Sequence, residues 1–578
     1  MKRGGILAIF LALCLLLGAC SSGSAPESSY SGGENAMTMT EPSSEAAKAE
    51  SSTAEPSASE SYDDAPMESA EEEYSAEGAP QPPTGGSNAM ASSSMQRSGD
   101  AAYALPESES YLEIDENTVK STDSDPMLTF SLKVDTASYS NVQRYLESGN
   151  LPPADAVRVE ELINYFPYEG KMKTEDGHPF AIYTEVGPSP FDENKYMAYI
   201  RVKSEDIDKS ELPQSNLTFL IDTSGSMNSY DKLPLLKSAF SLLVETLDED
   251  DVVSIVTYAG SAGVVLDSVS GADKERILSA IENLTAGGST AGAEGILTAY
   301  ALAEKNFVQG GNNRVILATD GDFNVGPASN QELEDLIGEK RDGGVYLSIL
   351  GFGTGNIRDD LMETLSKHGN GNYAYINNLT TAKKVLVDEI SSNLFTIADD
   401  VKAQVEFNPA NVSSYRLIGY ENRSLKNEDF NDDTKDAGEI GVGTDVVVMF
   451  ELELAGQSGS TGTKYSSSSS SSAQESTSGE FADELFEVRI RYKNPGEGES
   501  IEMVSPVKTS RLKEKNTSDF GFACSVAAFG QMLRGSGYTE NVTVDQVMQL
   551  AKENLGRDEN GYRLDYLLLL QQYKQLVQ

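Results

Sequence analysis

The stretch Asn216-Leu-Thr-Phe-Leu-Ile-Asp222-Thr-Ser-Gly-Ser226 decides the fold. A short, mostly apolar run stops abruptly at an aspartate, and hydroxyls and a glycine follow. Such a run suits a strand buried on both faces of a parallel sheet. Its carboxyl end then delivers Asp222, Ser224 and Ser226 together in one tight turn.

Working outward, the same pattern recurs. Strands are expected over 252–258, 263–268, 314–319, 345–350 and 373–376, and helices over 232–247, 274–284, 293–307, 331–341, 359–367 and 381–395. Alternating strands and helices predict an α/β unit over 212–399, a doubly wound, mostly parallel sheet. Ligands bind such sheets beyond the carboxyl ends of the strands. Asp222 falls there, and so does Asp320, which ends the run Arg314-Val-Ile-Leu-Ala-Thr319.

Asp222-x-Ser224-x-Ser226 offers one carboxylate and two hydroxyls. A hard cation such as Mg²⁺ needs about six oxygens near 2.1 Å, some from water. Further oxygens must come from other loops at the same sheet edge. Gly287-Gly-Ser-Thr290, before the helix near Ala293, and Thr319-Asp-Gly-Asp322 stand in the right places.

Together, Asp222-Thr-Ser-Gly-Ser-Met227, Gly288-Ser-Thr290 and Thr319-Asp-Gly321 resemble the metal-ion-dependent adhesion site of von Willebrand factor type A (VWA) domains, whose fold is Rossmann-like. The resemblance covers the whole of 212–399. It implies that Ser224 and Ser226 ligate the metal directly and that Thr290 does so directly or through water. Asp222 and Asp320 would act mainly through water and outer hydrogen bonds. Mg²⁺, or Mn²⁺ or Ca²⁺, is the implied cofactor, and the last metal position is left to a carboxylate of the partner. Ser289 rivals Thr290, which fits the register of the motif better. Asp322 is read as a turn residue rather than a further acid.

The flanks read as β-rich α+β regions. Residues 108–211 carry expected strands at 127–135, 179–186 and 196–202 and helices at 138–148 and 155–165. Residues 400–578 carry strands at 401–407, 415–420, 445–454 and 485–492, then helical sequence from 520. The serine-rich run 458–479 is read as a disordered loop between two paired strands. Strands on both sides of the α/β unit could share one sheet, which would make that unit an insertion into a β-rich base. Val134-Asp-Thr-Ala-Ser-Tyr-Ser140, the segment from Leu151 to Pro167, and Phe520-Gly-Phe-Ala-Cys524 resemble the YfbK-type VWA lipoproteins of bacteria. That resemblance implies a VWA-associated N-terminal region and a YfbK-type C-terminal domain, and it carries over no biochemical activity, so it bears on fold and location more than on function.

At the N-terminus, Lys2 and Arg3 precede an apolar run from Ile6 to Leu17, too short to span a bilayer comfortably. Leu17-Gly-Ala-Cys20 resembles a bacterial lipobox. The resemblance implies a signal peptide over 1–19, cleavage before Cys20 and lipid on its thiol. Acyl chains there would hold the protein at a membrane, outside the cytoplasm. Residues 20–107 are rich in Ser, Glu, Ala, Pro and Gly and almost free of Ile, Leu, Val and Phe, so they are expected to form a disordered acidic tether. About 85 such residues span roughly 50 Å root-mean-square.

The chain carries 44 Lys and Arg against 91 Asp and Glu, a formal charge of −47, which argues against nucleic acid as a partner. Of its three cysteines, the lipobox reading removes Cys14 with the leader and puts lipid on Cys20, leaving Cys524, which is expected in an apolar helical stretch as a small buried hydrophobe. The remaining signals are weak. Ser224 lacks the G-x-S-x-G setting of a nucleophile and a histidine placed for it. Gly351-Phe-Gly-Thr-Gly355 lacks a phosphate loop's lysine, and 564–570 reads as helix core. The expectation is therefore a binding protein, not an enzyme, that engages a protein or cell-envelope ligand presenting a carboxylate. The alternative is an envelope scaffold or assembly factor whose metal is mainly structural.

Overall fold

The computed structural model describes residues 109–170, 172–174, 177–289, 292–321, 323, 330–435, 437–455 and 481–578. The expected signal peptide over 1–19, Cys20, the expected tether over 20–107, Thr290, Asp322 and the serine-rich run 458–479 lie outside the described residues.

The α/β unit is built on a six-stranded sheet. Its order is Tyr373–Ile376, Tyr346–Phe352, Asn312–Thr319, Ser215–Asp222, Val252–Tyr258, Ala262–Ser270. All neighbours are parallel except the last pair. The central strand shows why its sequence is a continuous apolar run. Leu217, Phe219 and Ile221 enter one core with Leu236, Phe240 and Leu243 of helix Leu233–Thr246. Leu220 enters the other, with Ile296 and Tyr300 of helix Gly292–Lys305. Each face of the pleat is buried, so no polar alternation remains.

The strands on either side of this unit share two antiparallel sheets. One runs Lys120–Ser121, Val412–Ile418, Asp445–Leu454, Tyr196–Ser204, Phe180–Pro188. The other runs Ser424–Leu425, Met127–Ser131, Thr396–Phe407, Glu484–Lys493, Ser500–Lys508, with Ile440–Gly441 beside Thr396–Phe407. Ile200, Val202, Val446, Val448 and Phe450 of the first meet Phe130, Val405, Phe407 and Ile490 of the second in one core. The alternate residues Met197, Tyr199, Val447 and Met449 face away, into a helical layer of Ala137–Glu147, Val159–Ile163, Ser518–Arg534, Val544–Glu553 and Tyr562–Val577. The chain thus leaves a three-layered base after Tyr196–Ser204, builds the α/β unit, and re-enters the base at Thr396–Phe407.

Several expectations need correction. Strands Asp445–Leu454 and Glu484–Lys493, expected to pair across the serine-rich run, lie in different sheets. Alternation tells which face of a strand is buried but not which strand lies beside it. The helix expected over 381–395 is broken by a π-helical turn at Lys384–Asp388, and that expected over 155–165 divides into a 3₁₀ turn, Ala154–Ala156, and Val159–Ile163. The division frees Arg158 to turn inward. The strand Ser500–Lys508 was not anticipated; polar residues and Pro506 at an edge mask its pattern. Cys524 lies buried inside Ser518–Arg534, and burial pushes its thiol pKa up. No helix among the described residues is long and apolar enough to cross a membrane.

A buried ionic seam joins the α/β unit to the base. Arg158 donates to Glu161 at 2.6 Å and to Asp359, at the start of helix Asp359–His368, at 2.6 Å. Arg423 donates to Asp135 at 3.0 Å and lies 3.3 Å from Glu363. All six side chains are at most 5% exposed.

Candidate metal centre

Asp222 ends a central strand, paired on both sides, and is therefore fully buried. Its Oδ1 accepts the Ser224 N–H at 2.8 Å, which closes the turn. Its Oδ2 accepts from the Tyr258 hydroxyl at 3.2 Å and the Thr319 hydroxyl at 3.3 Å. Those donors come from the two neighbouring strands, so the sheet itself orients the carboxylate. Burial pushes its pKa up to about 6; the Ser224 bonds oppose the rise and the Asp320 charge adds to it.

Ser224 and Ser226 follow, and their hydroxyls lie 2.8 Å apart. Ser224 is buried while Ser226 is exposed, so the pair opens from the sheet edge toward solvent. The turn is pinned to the second loop at two points: the Gly225 N–H donates to the Gly288 carbonyl at 3.1 Å, and the Gly287 N–H to the Thr223 carbonyl at 2.8 Å. Gly288 has φ +87°, and a Cβ there would lie 3.2 Å from the Gly260 nitrogen, so glycine suits this contact. Ser289 is exposed beside it.

Asp320, also fully buried, follows the adjacent strand Asn312–Thr319. Lys232 donates to its Oδ2 at 2.8 Å and to Asn356 Oδ1 at 3.0 Å. Burial works to raise the Asp320 pKa, but the Lys232 ammonium, with Ser226 and Asn356, outweighs it and holds the carboxyl below its ordinary range. Gly321 has φ +104°, and a Cβ there would lie 2.4 Å from the Asn356 carbonyl oxygen.

Four of the five expected metal residues, Asp222, Ser224, Ser226 and Asp320, therefore meet at one sheet edge; Thr290 falls outside the described residues. Their oxygens are all hard donors, as Mg²⁺ requires. Two ligands at right angles on such an ion lie about 3.0 Å apart, which the 2.8 Å spacing of Ser224 and Ser226 matches. Among the described residues no group of three or more His, Cys, Asp or Glu could hold a metal. A cation here has to draw on hydroxyls.

Sequence reading missed Lys232, Asn356 and Tyr258. Lys232 looked like an ordinary helix start. The one available signal was that Asp320, at the end of an apolar strand, needs a counter-charge. The two histidines lie elsewhere: His178 faces the Tyr492 hydroxyl at 3.0 Å, and His368 faces the Thr364 carbonyl at 2.9 Å.

Residues 216–389 match the von Willebrand factor type A domain family, 392–576 the C-terminal region of uncharacterized protein YfbK, and 105–198 a family described as von Willebrand factor. Uncharacterized protein YfbK of Escherichia coli (strain K12) is 43% identical over 475 residues, 81% of either chain. Human inter-alpha-trypsin inhibitor heavy chain H3 is 26% identical over 164 residues, 27% of this chain and 18% of that one. Among solved structures, a von Willebrand factor type A protein from Catenulispora acidiphila is 16% identical, with a TM-score of 0.38 over 67% of this chain and 88% of that one.

Proposed function

The chain belongs to the YfbK family and contains a VWA domain, and from that premise we propose that it is a membrane-anchored extracytoplasmic binding protein, not an enzyme. It engages a protein or cell-wall ligand through a divalent cation. VWA domains typically mediate protein binding, often with such a cation. The observation that carries the reading is the convergence of Asp222, Ser224, Ser226 and Asp320 at one carboxyl edge, with two hydroxyls spaced for one ion. Ser224, Ser226 and Thr290 would hold the cation, and Asp222 and Asp320 would orient its waters. When bound, the cation supplies a Lewis-acidic position for a carboxylate of the ligand. Tyr258 and Thr319 keep Asp222 in place, and the Gly288 and Gly287 contacts keep the hydroxyl turn closed. Anchoring is assigned to lipid on Cys20, with residues 20–107 as the tether.

Affinity capture from native envelopes in Mg²⁺ or EDTA, alongside Asp222→Ala, tests the reading. Capture should be lost in EDTA and in the variant; capture that survives EDTA contradicts a cation-mediated contact. Cys20→Ser should release the protein from the membrane fraction, and unchanged fractionation refutes the anchor.

A second reading, an envelope scaffold whose cation only holds loops together, draws support from Lys232, whose ammonium itself bridges Asp320 and Asn356 on two of those loops. Partner capture unaffected by Asp222→Ala would favour it.

A further inference from the structure

Lys232 is the one cationic side chain seen to contact the candidate centre among the described residues. Its ammonium donates to Asp320 Oδ2 at 2.8 Å and to Asn356 Oδ1 at 3.0 Å. The side chain is 8% exposed and its aspartate partner 0%. Its methylenes run against Gly353, where φ is +74° and a Cβ would collide with them. The lysine is thus built into the loop cluster rather than laid across its surface. It links the loop after the central strand to the two loops that carry Asp320 and Asn356.

We infer that Lys232 is an internal counter-ion that cancels the charge of Asp320, lowers the affinity of the centre for a cation alone, and so makes tight cation binding depend on an acidic ligand. The inference rests on the cation reading above. The two buried carboxylates, Asp222 and Asp320, would give the centre a charge of −2. Lys232 reduces it to −1, and a fixed positive charge at this depth repels an incoming cation strongly. A partner carboxylate restores the missing negative charge. The ammonium also satisfies Asp320 when no metal is bound, so the loops need no cation to stay folded. Loss of one partner of a buried pair leaves the other charge buried at high cost.

The test uses the purified full-length protein with Lys232→Met and Lys232→Arg. Methionine keeps the apolar stem and removes the charge, while arginine keeps the charge. Mn²⁺ is the probe, followed by titration calorimetry and by thermal unfolding in EDTA and in Mn²⁺. Lys232→Met should bind Mn²⁺ about tenfold more tightly or better, melt below wild type in EDTA, and gain more from Mn²⁺ than wild type does. Lys232→Arg should bind like wild type. If Lys232→Met folds only with Mn²⁺, the inference stands; if Mn²⁺ fails to restore folding, it falls. Equal or weaker Mn²⁺ binding by folded Lys232→Met overturns the inference while leaving the cation reading intact. Absence of binding in both wild type and Lys232→Met overturns both.

Discussion

The hydroxyls of Ser224 and Ser226 hydrogen-bond to each other at 2.8 Å. A cation that takes both oxygens replaces that mutual bond, so removing either hydroxyl takes a ligand from the centre. Loss of an outer hydrogen-bond partner in a metal site already costs about 10- to 100-fold in affinity. Ser226→Ala should cost at least that much, and because Ser226 is exposed it should leave the melting temperature in EDTA nearly unchanged. Tyr258→Phe, which removes a donor from Asp222, should weaken Mn²⁺ by roughly tenfold. Unchanged Mn²⁺ isotherms for both variants would place the cation elsewhere.

Gly321 approaches the Asn356 loop too closely for a side chain. At φ +104° with a 2.4 Å contact waiting for a Cβ, Gly321→Ala has to strain the backbone and displace that loop. The cost should be about 1–3 kcal/mol, read by denaturant unfolding. The same variant should bind Mn²⁺ less well, because Asp320 is its neighbour. A variant as stable as wild type would show that the loop yields freely.

The base should fold as one body from both ends of the chain. Phe166 lies before the α/β unit, yet its ring meets Phe522 edge-on at 5.0 Å and Tyr566 at 5.5 Å, from helices beyond it. Phe166→Ala should destabilise the base by about 3–5 kcal/mol. Hydrogen exchange should then rise in Ser518–Arg534 and Tyr562–Val577 together. Faster exchange confined to residues near Phe166 would mean that the C-terminal helices fold independently.

Glu161 gives the fold a pH dependence. Burial pushes its carboxyl up to about 7; Arg158 opposes this, and Glu363 and Asp135 reinforce it. Besides Arg158, it accepts the Ser138 N–H at 2.8 Å. Between its ordinary value, about 4.3, and 7, the folded protein holds a proton that the unfolded chain has released. Stability from this group therefore falls as pH rises through that window and levels off above it. Glu161→Gln should flatten the change in unfolding free energy between pH 5 and pH 8 relative to wild type. Parallel curves for the two proteins would remove Glu161 as the cause.

The α/β unit was legible because its signals are local. Apolar strands ending in Asp222 and Asp320, with helical sequence between them, mark the sheet and its carboxyl edge without any knowledge of partners. The base was legible only as strands and helices. Met127–Ser131 pairs with Thr396–Phe407, and Gln404 bonds Thr129 at a separation of 275 residues. No local pattern encodes such a pairing, and the same blindness joined Asp445–Leu454 to Glu484–Lys493 across the serine-rich run. At the site, the motif revealed the oxygens but not the cation beside them. A lysine that opens a helix looks solvated until the fold brings Asp320 to its ammonium.

The most direct measurement is titration of Mn²⁺ into the purified protein and into Asp222→Ala by calorimetry, with folding of both checked in EDTA. The expected result is one site per chain in wild type and none in the folded variant. Equal Mn²⁺ binding by the two, or no binding by wild type and by Lys232→Met alike at any pH between 6 and 8, would contradict a cation centre at Asp222.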